Sequence, residues 1–313
     1  MNSLVTGAAG FIGSHLVEKL LGAGHVVVGV DSFLDNYPRR FKESNLANFL
    51  QHSKFTFVGE DLTRTDLTRL LQGVDYVFHL AGQPGVRSSW GSEFSRYTEN
   101  NISATQLLLE AAKDKKLSKF VYASTSSVYG DTTDLPMRED GLTRPVSPYG
   151  ATKLAAEHLC HLYSKAYGVP TVALRFFTVY GPRQRPDMFF HIFMRALLTG
   201  DDVPLYDDGE QTRDFTYCGD IVDGLLNAAQ YPGQGDVFNL GGGSQVSLLS
   251  AIELAEKLAG SKARLRRLDR QRGDVRHTSA RLNLAREKLN YRPQVGLADG
   301  LKQQWQWIQS LGR

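Results

Sequence analysis

Two cysteines in 313 residues, Cys160 and Cys218, are too few for a disulfide framework or a four-cysteine zinc site. They read as reduced, partly buried thiols, which suits a reducing compartment. No apolar run approaches the roughly 18 residues that a membrane span needs. No basic leader precedes Leu4-Val5-Thr6-Gly7, so neither a membrane segment nor a secretory signal is expected. Charge of one sign is also lacking: 36 Lys and Arg against 33 Asp and Glu leave a formal net charge of +3. The basic residues are scattered apart from a short cluster from Arg264 to Arg276, which reads as a solvated face and not as a nucleic-acid surface. Internal repeats, low-complexity tracts and metal-ligand spacings are missing too. What remains, 42% hydrophobic and 22% charged, is the composition of an ordinary soluble protein of about two domains, expected in the cytoplasm.

The first half alternates short apolar runs with helical patterns. Strands are expected at Ser3–Thr6, Val26–Asp31, Phe55–Gly59, Tyr76–Leu80, Phe120–Ser124 and Val172–Phe176. Most are near-continuous apolar runs, suited to burial on both faces of a parallel sheet. Helices are expected at Ser14–Ala23, Thr65–Gln72, Ala104–Lys113 and Ala151–Tyr167, the last stopped by Gly168 and Pro170. The alternation predicts an α/β fold with a doubly wound parallel sheet. After about residue 177 the regularity gives way to Gly-, Asp- and Pro-rich loops, and Val237–Leu240 reads as a strand returning to the first sheet. The expected division is a larger domain over 1–177 with a returning segment near 214–244, and a smaller α/β substrate-binding domain over 178–213 and 245–313.

Gly7-Ala8-Ala9-Gly10-Phe11-Ile12-Gly13 follows the first strand and opens the first helix. Glycines there permit a tight turn, close approach of backbone to a pyrophosphate, and helix-on-strand packing, while the helix N-terminus favours phosphate charge. Asp31 ends the second strand, where a carboxylate hydrogen-bonds the adenosine ribose and repels a 2′-phosphate; NAD is expected over NADP. The Gly-x-x-Gly-x-x-Gly spacing resembles the extended short-chain dehydrogenase/reductase family, whose sheet is a Rossmann fold. Asp61-Leu62, His79-Leu80-Ala81-Gly82, Tyr97 and Asn101-Ile102-Ser103-Ala104-Thr105 extend the resemblance, which runs from Met1 to about Trp307. It implies an NAD site lined by Gly7, Gly10, Phe11, Ile12, Gly13, Asp31, Lys42, Asp61, Leu62, Leu80, Ala81, Gly82 and Asn101, with Tyr149 and Lys153 at the nicotinamide end.

Ser147-Pro148-Tyr149-Gly150-Ala151-Thr152-Lys153 holds a Tyr-x-x-x-Lys. On a helix, positions i and i+4 share a face, so Lys153 is expected beside Tyr149, lowering the phenol from ~10 toward working pH. The run Ala123–Gly130 closes the fifth strand with Thr125-Ser126-Ser127, at the carboxyl end where ligands bind in such sheets. By the resemblance Tyr149 is the catalytic base, Lys153 also holds the nicotinamide ribose, Thr125 hydrogen-bonds the substrate oxygen, and Ser126 and Ser127 assist. The implied chemistry removes a proton and a hydride from a substrate carbinol and returns the hydride. Return to the opposite face inverts the carbon without net oxidation.

The second half resembles the nucleotide-sugar branch of that family, through Arg213-Asp214-Phe215-Thr216-Tyr217, Phe238-Asn239-Leu240-Gly241-Gly242-Gly243 and Gln271-Arg272-Gly273-Asp274-Val275. The resemblance implies that Arg213 faces a diphosphate and that Val203-Pro204-Leu205-Tyr206 lies along the base, Val203 and Tyr206 touching it. Pro84, Arg87, Thr178 and Asp274 complete the implied substrate site. Resembling 4,6-dehydratases carry Asp-Glu where this chain has Ser126-Ser127, and decarboxylases a Glu at the second position, so neither reaction is favoured. Tyr180–Met188 matches the signature of UDP-glucuronate 4-epimerases, with Thr178 where UDP-galactose epimerases and decarboxylases usually have Asn. Oxidising C4 of glucuronate gives a β-keto acid that readily loses carbon dioxide. Arg185 is the candidate that clamps the carboxylate against this loss. The expected activity is 4-epimerisation of UDP-glucuronate to UDP-galacturonate. A UDP-sugar dehydratase or decarboxylase, or an epimerase of a neutral UDP-hexose or UDP-N-acetylhexosamine, remains the alternative. The resemblance also implies a homodimer through Ala104–Lys113 and Ala151–Tyr167, whose outward stripes (Leu107, Cys160) suit burial in a monomer equally well. No nucleic-acid or membrane partner is expected.

Overall fold

Buried apolar strands and amphipathic helices alternate through the first half of the chain in a computed structural model, which describes residues 1–312. The elements are β1 (Asn2–Thr6), α1 (Phe11–Gly22), β2 (Val26–Val30), α2 (Arg39–Ala47), β3 (Phe55–Val58), α3 (Leu67–Leu70), β4 (Tyr76–His79), α4 (Phe94–Tyr97), α5 (Ala104–Ala112), β5 (Lys119–Thr125), α6 (Pro148–Tyr167) and β6 (Thr171–Phe176). Then come β7 (Thr178–Tyr180), α7 (Phe189–Thr199), β8 (Asp202–Tyr206), β9 (Thr212–Tyr217), α8 (Cys218–Ala229), β10 (Asp236–Leu240), β11 (Gln245–Ser247), α9 (Leu248–Ala259), β12 (Arg264–Leu268), α10 (Asn283–Leu289) and α11 (Leu297–Ser310). A π-helical stretch, Thr98–Ser103, joins α4 to α5.

Seven parallel strands form the main sheet in the order β10-β6-β5-β4-β1-β2-β3. This is the doubly wound Rossmann order, and its switch point lies between β1 and β4. Registers bring Thr6 opposite both Val30 and His79, and Thr125 opposite Phe176. The segments that follow them therefore emerge on one rim of the sheet. One face packs Leu16, Leu20, Phe78 and Val121 into a core; the other packs Leu4, Val77, Leu108, Phe120 and Ala156. Two smaller sheets, β11-β9-β7 and β12-β8, stand beside a third core containing Tyr180, Phe190, Phe193, Leu301 and Ile308. The returning strand read at Val237–Leu240 is β10, paired with β6, whereas Thr212–Tyr217 pairs with β7 and β11 instead.

Several local expectations change. Helix α6 begins at Pro148 and not at Ala151, because Ser147 accepts a bond from the Gly150 N–H and Pro148 fits a first-turn position that needs no donor. The helix read over Thr65–Gln72 shrinks to Leu67–Leu70, capped by Asp66. Cys160 is not on an outward stripe: it is 1% exposed, packed in the core with Tyr122 and Ala173, while Leu107, Leu162 and Tyr167 do face solvent. Helix α2 had no sequence signature, because two of its three buried residues, Lys42 and Asn45, are polar. Both cysteines are buried and free. No helix among the described residues is long and apolar enough to cross a membrane.

Candidate active site

A cleft runs over the carboxyl rim of β1, β2, β4 and β5. Every residue expected at the NAD site lines it, from Gly7, Gly10, Phe11, Ile12 and Gly13 to Asp31, Lys42, Asp61, Leu62, Leu80, Ala81, Gly82, Asn101, Tyr149 and Lys153. Two glycines there are enforced by geometry. Gly7 has φ of 71°, and a Cβ on it would lie 2.9 Å from the Ala81 nitrogen. A Cβ on Gly13 would lie 2.0 Å from the Gly7 oxygen. No side chain caps α1, so its first-turn N–H groups face the cleft as anion donors. The Gln83 side-chain oxygen, buried in the same wall, also has no partner in the chain. Such a cradle fits a dinucleotide.

Asp31 serves the chain as well as the cleft. It accepts bonds from Ala9 N at 3.2 Å, Phe33 N at 2.8 Å and Lys42 Nζ at 3.2 Å, so Lys42 enters the site as its ion-pair partner. Asn45 of α2 donates to the Ala9 carbonyl at 3.0 Å, which ties α2 to the glycine loop. Asn101 sits in the π-helical stretch, a device common at functional sites. Its amide pairs with both backbone groups of Gln83, at 2.7 and 3.1 Å, and donates to Thr152 Oγ1 at 3.0 Å. It thereby locks the rim loop after β4 to α6. Beneath them His79 shares hydrogen bonds with Thr6 and Thr105; burial holds its pKa down to about 3, so the imidazole is neutral.

Tyr149 stands in the first turn of α6, edge-on to Tyr97, whose hydroxyl donates to the Pro84 carbonyl at 3.0 Å. Burial raises the Tyr149 phenol, while a hydrogen bond with Thr125 and the guanidinium of Arg185 oppose that rise. The expected lowering of the phenol by Lys153 is not seen: the phenol is raised, and Lys153 is not among the groups that act on it. Its ammonium lies 4.3 Å above the Tyr122 ring, and burial depresses its own pKa to about 7. Thr125 donates to Ser127 Oγ at 3.3 Å and accepts from Ser127 N at 3.2 Å. Thr125, Ser126 and Ser127 form the β5 exit beside the tyrosine but do not themselves line the cleft, whereas Ala123 and Ser124 do.

A second cavity is lined by Arg87, Thr178, Tyr206, Arg213 and Asp274, all expected at the substrate site. Arg87 covers the Tyr206 ring at 3.8 Å and grips Asp274 through Nη2 at 2.7 Å. Arg213 donates to the carbonyls of Thr212, Val275 and Arg276, and among the described residues no carboxylate pairs with it. A cation held by carbonyls alone retains its charge for an anionic ligand. Val203 does not touch this cavity: on a strand, alternate residues face opposite ways, so Val203 and Leu205 enter the core and Pro204 and Tyr206 line the cavity. Pro84 and Arg185 line the first cleft instead of the second cavity. Arg270 and Arg276 line the second cavity and pair with Asp131, Asp207 and Asp208. The basic cluster is thus a solvated face only in part: Arg264, Arg266, Arg267 and Arg272 are exposed away from the cavity, while Arg270 and Arg276 line it. Their place in that cluster was the available signal; nothing pointed to Gln83 in the first cleft or to Gln211, which also lines the second cavity.

The loop Gly181–Met188 separates the two cavities. Arg185 lines the first and Asp187 the second, and the two are joined by a two-pronged bond at 2.9 and 3.0 Å.

A Rossmann cleft lined by a half-buried Tyr149 and a buried Lys153, opening beside an arginine-rich second cavity, defines an NAD-dependent enzyme acting on a small anionic ligand. The model of the NAD dependent epimerase/dehydratase family matches residues 3–241, and the chain belongs to that family. It is 46% identical to the uncharacterized UDP-glucose epimerase YtcB of Bacillus subtilis (strain 168), over 99% of each chain. The UDP-glucuronate 4-epimerase of Thermodesulfobacterium geofontis (strain OPF15) is 38% identical, over 97% of this chain and 95% of that one. A solved structure, UDP-glucuronic acid 4-epimerase from Bacillus cereus in complex with UDP-glucuronic acid and NAD, superposes with a TM-score of 0.97 at 47% identity, covering 99% of this chain and 100% of that one.

Proposed function

We propose that this chain is a UDP-glucuronate 4-epimerase that interconverts UDP-glucuronate and UDP-galacturonate. The observation that carries the reading is the position of Arg185: its charge reaches Tyr149 from the loop between the two cavities. A guanidinium there suits a sugar carboxylate close to the reacting carbon. NAD, when bound, supplies the acceptor and donor of the C4 hydride. Tyr149 takes the proton from the C4 hydroxyl and gives it back, and Thr125 favours the phenolate by hydrogen bonding. Arg213 and Arg87 hold the diphosphate end, while Pro204 and Tyr206 lie along the base. Arg185 keeps the carboxylate from aligning for loss of carbon dioxide while the 4-keto sugar turns. With Ser126 and Ser127 at the β5 exit, no carboxylate is supplied there for elimination.

In this reading the main sheet with β10 forms the NAD domain, and the two small sheets with the third core form the sugar-nucleotide domain. The exposed Leu107, Leu162 and Tyr167 on α5 and α6 suit a homodimer face, and the buried free thiols suit a cytoplasmic protein. A second reading, epimerisation of a neutral UDP-hexose, is favoured by one observation: Asp187 already occupies Arg185. Incubating the purified protein with UDP-glucuronate, without added nicotinamide, and following products by proton NMR tests the first. UDP-galacturonate at equilibrium without pentose is the expected result; an unchanged spectrum together with turnover of UDP-glucose establishes the second.

A further inference from the structure

Helix α1 carries more than the dinucleotide loop. Phe11, His15 and Glu18 stand at i, i+4 and i+7 and so share one face of the helix. Phe11 lines the first cleft and meets the His15 ring edge-on, with centroids 6.1 Å apart. His15 Nε2 lies 2.9 Å from the carbonyl oxygen of Pro182, and Cys218 Sγ lies 3.6 Å from the same nitrogen. Because a carbonyl only accepts, Nε2 carries the proton and donates. Burial lowers the His15 pKa and so maintains the neutral ring with this tautomer. One turn on, Glu18 accepts from Arg183 Nη2 at 2.7 Å. Arg183 has φ of 63°, a left-handed conformation that a non-glycine residue holds only when its surroundings impose it. The loop is anchored from its other side by α11, where Gln304 accepts from Gly181 N and donates to Gln184 Oε1.

We infer that His15 and Glu18 are positioning residues for Arg185, bolting the substrate loop to the helix that presents the glycine loop. The distance between the glycine loop, which cradles the pyrophosphate, and the carboxylate-gripping arginine is then set by one rigid rod. This inference rests on the proposed role of Arg185 and adds what fixes that residue in space. A slack bolt lets the carboxylate rotate into the orientation that loses carbon dioxide, so its signature is a change in product and not only in rate.

The test compares the NAD-containing wild type with His15→Leu, His15→Gln and Arg185→Ala, reading bound NAD, KM and kcat for UDP-glucuronate, and the ratio of UDP-pentose to UDP-galacturonate. His15→Leu is expected to keep its NAD and thermal midpoint, to lose up to ~10²-fold in turnover, and to raise both KM and the pentose ratio. His15→Gln, which restores an N–H for Pro182, is expected to recover the wild-type ratio. Should His15→Leu prove unstable, Glu18→Gln, whose side chain is partly exposed, carries the same test. If Arg185→Ala shifts the ratio while folded His15→Leu and Glu18→Gln leave KM and ratio at wild-type values, the inference fails and the reading of Arg185 stands. If Arg185→Ala shifts neither, the reading of Arg185 fails and takes the inference with it.

Discussion

Arg185 holds both carboxylate oxygens of Asp187 through its Nε and Nη2, leaving Nη1 without a bond in the chain. An incoming sugar carboxylate must therefore share the guanidinium with Asp187 or displace it, and Asp187 repels it in either case. Asp187→Asn removes the repulsion and leaves the arginine in place. Ion pairs open to solvent on one side, as here at Asp187, are worth little, so KM for UDP-glucuronate should fall by about two- to five-fold, with KM for UDP-glucose unchanged. Steady-state kinetics on the two sugars decide it. A rise in KM for UDP-glucuronate alone would mean that Asp187 orients the arginine instead.

Tyr149 is the phenol that both a hydrogen bond with Thr125 and the charge of Arg185 act on. Tyr149→Phe removes the proton acceptor while keeping the ring against Tyr97. Turnover should fall by ~10²–10⁴-fold, with NAD still bound, as measured by release on denaturation. Activity close to wild type in this variant would remove Tyr149 from the mechanism.

The pH profile reports on the same pair. Burial raises the phenol, and the Thr125 hydrogen bond is the first influence that opposes the rise. A base must be deprotonated to act, so kcat/KM should climb with pH on its acid limb. Thr125→Val removes the opposing bond, raising the phenol further and shifting that limb to higher pH. Profiles of the two proteins with the same sugar check this; an unshifted limb assigns Thr125 to packing.

Legibility from sequence followed one physical distinction. Where function depends on a residue type at a fixed spacing, as in Gly7 to Gly13 or Tyr149 and Lys153, the site was readable, because helix pitch and turn sterics are local. Asp31 lines the cleft, yet its bonds to Phe33, Ala9 and Lys42 depend on a loop path that no local pattern encodes. Val203 shows the cost of ignoring strand alternation, since Pro204 and Tyr206 share the face that Val203 lacks. Helix α2 escaped notice because its inward face is polar and binds the glycine loop instead of a core. The bolt between His15 and Pro182 joins segments 167 residues apart.

Lys153 yields a stability prediction. Burial takes its pKa from 10.5 to about 7 in the cofactor-free chain. Between those values the unfolded chain holds a proton that the native one lacks, so this group adds stability as pH rises through that window and loses it as pH falls toward 7. Lys153→Met removes the titration. Urea midpoints of NAD-free protein should rise from pH 7 to pH ~9.5 more steeply for wild type than for the variant. Parallel slopes would show that the ammonium is not desolvated in the native state.

Behind the β5 exit, Arg175 and Glu157 pair at 2.6 Å with side chains only 5% and 4% exposed. Glu157 also accepts from Ser124 Oγ at 2.6 Å, and Arg175 Nη1 donates to the Tyr129 hydroxyl and the Glu139 carbonyl. The pair therefore ties β5, β6 and α6 together directly under a residue that lines the cleft. Its value lies in completeness. Two charges taken from water are costly to bury, and they are tolerated because every guanidinium nitrogen and both carboxylate oxygens have partners. Arg175→Met leaves the Glu157 carboxylate buried with Ser124 alone and should cost ~3–5 kcal/mol of folding stability. Glu157→Leu combined with Arg175→Met removes both charges and should cost clearly less than the two single changes added together, since the stranded charge is gone. Denaturant unfolding of all four proteins in the presence of NAD separates these outcomes. Additive losses would mean that the two side chains act independently and that the ion pair contributes no coupling of its own.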